Sequence, residues 1–162
     1  MKNIYIISMG LIFQFVCGAA AAEDNWEVKV EHEDGTRCLL ESVTKIFNDG
    51  QAETVAKLVY TGDTLYAATQ SNINLEYEGI GLQVDDLEQH RVDGVYMLKT
   101  AVFSKNIETI HKQFIHGLKA KVTLGFWPLI PKTKTYDIEF SLIGYTKAYH
   151  QFLECKRTEE RK

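Results

Sequence analysis

Cys38 and Cys155 lie near opposite ends of this chain, and a bond between them would tie down both ends of whatever folds in between. The third cysteine, Cys17, falls within a leader-like opening. Met1-Lys2 carries one positive charge, residues 4–16 are almost wholly apolar, and Gly18-Ala19-Ala20-Ala21-Ala22 supplies small side chains before Glu23-Asp24. A charged start, an apolar stretch of about a dozen residues and an A-x-A end are the parts that a signal peptidase reads. The apolar stretch is shorter than the ~20 residues that a bilayer requires. Cleavage is expected after Ala22, with the mature protein in the periplasm or outside the cell. Gln14-Phe15-Val16 lacks the small residue that would make Cys17 a lipid acceptor.

With the leader gone, Cys38 and Cys155 form an even count in an oxidising compartment and have one possible pairing. The bridge would close a loop of roughly 120 residues, for which the chain-entropy model gives about 4 to 5 kcal/mol. A metal pair or a reactive thiol is the rival reading. No CxxC or HxxxH spacing flanks either cysteine, so the four ligands of a metal site are not in view. The remaining chain, about 140 residues, is the size of one domain with a true core. Losing Lys2 leaves 17 basic side chains against 22 acidic ones, a net charge of −5. That balance argues against nucleic acid, whose binders concentrate positive charge. No further apolar run approaches membrane-spanning length.

Short period-two stretches separated by glycine turns dominate the rest. Trp26, Val28 and Val30 alternate with Glu27, Lys29 and Glu31, and Asp34-Gly35 marks a hairpin turn before a second strand at 38–47. Asn48-Asp49-Gly50 and Thr61-Gly62-Asp63 bracket a strand at 55–60, with another at 65–67. Residues 80–84 and 95–103 read as two more strands, divided by acidic residues and Asp93-Gly94. Residues 119–124 alternate again. So do Tyr136, Ile138, Phe140 and Leu142, the clearest strand of all. Two helices interrupt this pattern. Near 104–117, Ile107, Ile110 and Phe114 share a face, with Ser104 as N-cap and Gly117 as stop. Near 144–155, Tyr145, Ala148, Tyr149 and Phe152 share another. The expectation is a mainly β fold: an antiparallel β-sandwich or partial barrel with these two short helices. The domain layout is a signal peptide at 1–22, a single β-rich domain at 23–155 and a charged flexible tail at 156–162.

Three stretches carry a family likeness: Trp26-Glu27-Val28 leading through Asp34-Gly35 to Cys38-Leu39-Leu40; Ile110-His111-Lys112-Gln113-Phe114-Ile115-His116-Gly117-Leu118-Lys119; and Phe140-Ser141-Leu142-Ile143-Gly144-Tyr145-Thr146-Lys147-Ala148-Tyr149. The last is similar to an S-L-x-G-[FY]-x-x-A ending. In this order they resemble the invasion-associated locus B family of exported bacterial proteins. The resemblance implies a small periplasmic or secreted β-sandwich and supplies no catalytic residues. Members often carry a further cysteine pair in the middle, which this chain lacks.

The chemistry-bearing residues read mostly as structure. His111 and His116 are five apart on the expected helix, about 140° around its axis, and so diverge. His32, His90 and His150 stand alone among polar residues, and all five histidines are read as surface groups. Glu76, Glu78, Asp85, Asp86, Glu88 and Asp93 could hold calcium, but without a fixed-spacing loop they read as a solvated face. Ser141 and His150 lack a third partner for nucleophilic catalysis, and Gly79-Ile80-Gly81 precedes a strand where a phosphate loop would precede a helix. Phe126-Trp127-Pro128 either plugs the core beneath the terminal helix or sits on a loop, where a Trp anchors a partner or a glycan. The expectation is therefore a protein with no catalytic residue, cofactor or metal, acting by contact with another protein, with Phe126, Trp127 and Pro128 as the candidate contact. The rival class is an inhibitor of a lysozyme-like cell-wall hydrolase that offers an acidic loop to a basic cleft.

Overall fold

The computed structural model describes residues 25–31, 37–127 and 134–159. The expected leader, the expected turn at Asp34-Gly35, Pro128 and the last three residues lie outside them. The strands are β1 (Trp26–Glu31), β2 (Arg37–Ser42), β3 (Lys45–Asn48), β4 (Glu53–Tyr60), β5 (Leu65–Thr69), β6 (Gly81–Val84), β7 (His90–Arg91), β8 (Gly94–Tyr96), β9 (Thr100–Phe103), β10 (Lys119–Leu124) and β11 (Tyr136–Ser141). The helices are α1 (Ile107–His116) and α2 (Tyr145–Glu159). A larger antiparallel sheet runs β1-β2-β4-β5-β9-β8, with β3 also paired to β4, and a smaller one runs β11-β10-β6-β7. The two do not close into a barrel, and the mainly β reading with two helices holds.

Alternation along each strand decides what is buried. In β4, Thr54, Ala56, Leu58 and Tyr60 are buried, while Val55, Lys57 and Val59 on the other face are half-buried. In the smaller sheet Val122, Ile138 and Phe140 point to the same core, and α1 adds Ile110 and Phe114. The corner between the sheets is held by Trp26, whose indole N–H donates to the Ser141 carbonyl at 2.8 Å. Its ring stands edge-on to Tyr145 of α2, centroids 4.9 Å apart. The Cys38–Cys155 disulfide joins β2 to α2 across 117 residues, with Cα atoms 6.0 Å apart.

The single strand expected at 38–47 is two strands, for a geometric reason. Glu41 faces Val59, whereas Lys45 faces Ala56, so the register on β4 slips by one residue between β2 and β3. This is a bulge, and a one-residue slip exchanges the faces of the side chains beyond it. Phe47 thereby turns inward onto Phe126, and Ile46 turns out to 67 % exposure. The Ser42 hydroxyl accepts the Leu58 N–H at 2.9 Å, satisfying a buried donor that the disrupted ladder would otherwise strand.

The strand expected at 95–103 is likewise a hairpin, β8 and β9, turning at Met97 and Leu98 with φ of +47° and +62°. The α1 boundaries also differ. The helix begins at Ile107 after Asn106, which makes no side-chain cap; Ser104 contributes its carbonyl to the Ile107 N–H instead. Gly117 ends the helix in an extended conformation (φ −84°), not the left-handed one of a glycine stop. A Cβ there would stand 2.6 Å from Val84 Cγ1, so the glycine serves close packing of α1 on β6. Finally, α2 continues past Cys155 to Glu159, and residues 156–159 of the expected tail are helical, with Lys156 and Glu159 paired at 3.0 Å.

Candidate functional site

The three residues of the candidate contact part company. Phe126 follows β10 and forms an isolated antiparallel bridge with Ile73. Its ring is 1 % exposed and lies 5.5 Å from Phe47 and 6.1 Å from Tyr136. Phe126 is therefore a core residue and not a contact, and its plug sits under β3 and β11 and not under the terminal helix. In extended backbone the next side chain points the opposite way. Trp127 accordingly faces out, 46 % exposed, with its N–H bonded to the Asn72 carbonyl at 2.9 Å and its carbonyl receiving Gln51 Nε2 at 2.7 Å. Pro128 lies outside the described residues.

Around Trp127 the backbone gathers other exposed apolar groups. Segment 72–75 is the tie. The Asn72 carbonyl receives Trp127, the Ile73 N–H donates to the Leu98 carbonyl at 2.7 Å, and the Asn74 N–H donates to Gly125 at 2.9 Å. The β8–β9 turn and the Trp127 loop are thus pinned to one short segment, which itself presents Leu75. Met97, Leu98, Leu75 and Trp127 are 74 %, 62 %, 48 % and 46 % exposed. Close packing fixes the segment from below, since a Cβ on Gly125 would collide with the Tyr77 ring. Large side chains rarely occupy positive φ, and the left-handed conformation costs about 1–2 kcal/mol per residue. Holding Met97 and Leu98 there is a strain whose structural effect is to display them.

The sequence singles out Trp127 but not its exposed neighbours Met97, Leu98 and Leu75. Tyr96-Met97-Leu98-Lys99 contains none of the Gly, Asn or Asp that mark a tight hairpin turn. The one available signal was length: nine residues exceed the usual strand of five or six.

Among the described residues the histidines do not converge, but His111 is not a surface group. It is half-buried, stacked on Tyr60 with ring planes 9° apart and centroids 5.6 Å apart, and 4.2 Å from Tyr149. Its Nδ1 lies 2.9 Å from the Tyr145 hydroxyl. Burial holds the imidazole below its ordinary value near 6.5. Burial, with Tyr149 and Asp63 adding to it, pushes the Tyr60 hydroxyl up to about 12, and the more deeply buried Tyr145 is raised further. Together these rings clamp α1 against α2 and β4. His90 meets Gln113 at 2.8 Å, His116 and His150 are exposed, and His32 lies outside the described residues.

The acidic group divides in the same way. Asp85 accepts the Leu118 and Lys119 N–H groups, and Asp93 accepts those of Ser104 and Lys105 at 2.7 and 2.9 Å. Burial opposes ionisation of Asp93, but those two N–H groups and the Lys105 charge outweigh it and hold the carboxyl below its usual range. Both carboxylates tether their own loops. Glu76, Glu78, Asp86 and Glu88 remain exposed, and among the described residues no group of three His, Cys, Asp or Glu side chains is placed to hold a metal ion. Gly79-Ile80-Gly81 leads into β6, as its sequence suggested.

Among the described residues no helix is long and apolar enough to cross a membrane. Comparison with family models, with curated proteins and with solved structures finds no match in any of the three.

Proposed function

We propose that this chain is an exported, non-enzymatic envelope protein that works by binding another protein through its apolar end. The observation that carries the reading is the gathering of Trp127, Met97, Leu98 and Leu75 around segment 72–75 by three backbone hydrogen bonds. Interfaces draw most of their energy from a few large apolar anchors near the centre of the contact, with Trp prominent among them. Holding two of these anchors in a strained turn favours a role for the side chains over a role for the turn. The leader-like opening and the disulfide suit a life outside the reducing cytoplasm. The likeness to the invasion-associated locus B family, in the Phe140–Ala148 motif above all, points to the same compartment.

The hydrolase-inhibitor reading asks for a free acidic loop. Asp85 and Asp93 give their carboxylates to backbone N–H groups of their own chain, which weakens that loop.

The test is affinity capture from an envelope extract with the wild-type protein and with Trp127→Ala. A partner retained by the first and lost by the second, at unchanged melting temperature, is expected. Retention of every partner by Trp127→Ala would sink the proposal.

A further inference from the structure

The outer face of the larger sheet, the face turned away from the core, is concave. Leu39 and Glu41 point outward from β2, yet they are only 7 % and 9 % exposed. The hollow above them holds about 560 Å³ and is lined entirely by this sheet and by Thr61, the residue after β4. That is within the ~300–1,000 Å³ of small-ligand sites. Strand register sets its floor: Glu41 lies opposite Val59, Val59 opposite Tyr66, and Tyr66 opposite Val102, so the cleft runs across the strands. Tyr96, opposite Thr100, closes the far end.

The charges in the cleft cancel. Lys57 Nζ pairs with Glu41 Oε1 at 2.7 Å, and Arg37 stands directly opposite Glu31 on the neighbouring strand. An anion would meet two carboxylates, and a cation would meet a guanidinium and an ammonium. A wholly apolar ligand would strip water from the Glu41–Lys57 pair without returning hydrogen bonds, which is costly. An extended peptide is also poorly served, because strand addition needs a sheet edge and this cleft crosses the middle of the sheet. What remains is a neutral ligand rich in hydroxyls with flat C–H faces. Two tyrosine rings offer platforms for such faces, and Thr61 and Thr100 both donate and accept. Glu41 accepts, and Lys57 and Arg37 donate.

We propose that this cleft binds a neutral oligosaccharide laid across the strands, with sugar rings against Tyr66 and Tyr96. The cleft adjoins the apolar end where Tyr96 precedes Met97, but its assignment does not rest on the partner contact at Trp127.

Isothermal titration of the purified protein with chitohexaose and with cellohexaose, beside a neutral extended hexapeptide, tests it. At least one sugar is expected to bind with a Kd of about 10 µM to 1 mM, and Tyr66→Ala and Tyr96→Ala should each weaken it about tenfold or more. Tyr96 is 58 % exposed, so its removal leaves the fold intact and keeps the test decisive even if Tyr66→Ala destabilises the sheet. No binding of either sugar, binding of the peptide alone, or sugar binding unchanged in Tyr96→Ala would overturn the assignment.

Discussion

His111 carries a consequence that belongs to a single side chain. The fold lowers its proton affinity by burial among Tyr60, Tyr145 and Tyr149, so the unfolded chain binds that proton more readily than the folded one. Stability from this residue is fully present above its ordinary value of 6.5 and is lost as pH falls through 6.5 towards the lower folded value. Replacing His111 with Phe keeps a ring in the stack and removes the titration. Urea unfolding between about pH 7 and pH 5 should then show a flatter profile than wild type. An unchanged slope would rule out His111 as its source. The carboxylates of Asp49, Asp63 and Asp93 are all held below 3.8, so their contribution is present above that value and disappears as pH falls below it, outside the histidine window. The surface reading of this histidine from sequence failed because a helical wheel shows which residues share a face. It does not show that α2 and β4 both close over His111.

At the scale of elements, the β8–β9 turn sets stability against display. Asn-Gly is the pairing that tolerates positive φ at both central positions. Met97→Asn combined with Leu98→Gly should therefore relieve the strain and raise stability by about 1–3 kcal/mol in chemical denaturation, while removing two exposed anchors. The same double variant should capture less partner. A loss of stability would show instead that Met97 and Leu98 support the fold. The bulge between β2 and β3 teaches a related lesson. Strict alternation through 38–47 would place Phe47 outside and Ile46 inside, and the structure reverses both because Phe47 has Phe126 to pack against. A bulge carries no composition of its own here. Ser42, whose hydroxyl accepts the Leu58 N–H, looks in sequence like any polar strand residue.

For the whole molecule, the disulfide is a covalent tie that fastens α2 to β2 across 117 residues. Converting Cys38 and Cys155 together to Ala should cost about 2–5 kcal/mol, read as a lower denaturation midpoint with a steeper slope, because the unlinked denatured chain is more expanded. A double variant as stable as wild type would mean that packing of Tyr145, Ala148 and Phe152 on the sheet already fixes the helix. Taken alone, the sequence determined the composition of the fold: antiparallel strands from period-two alternation, two helices from period-three-to-four spacing, and the Cys38–Cys155 pairing from elimination. These are local or combinatorial properties, and they survive without knowledge of neighbours. Only the tertiary structure decided that Phe126 is core while Trp127 is surface. It alone decided, too, that segment 72–75 pins two distant loops into one apolar end, and that the larger sheet curves enough to hollow its outer face. Each of those depends on which strands lie side by side, and pairing between residues far apart in sequence leaves no periodic trace in either partner.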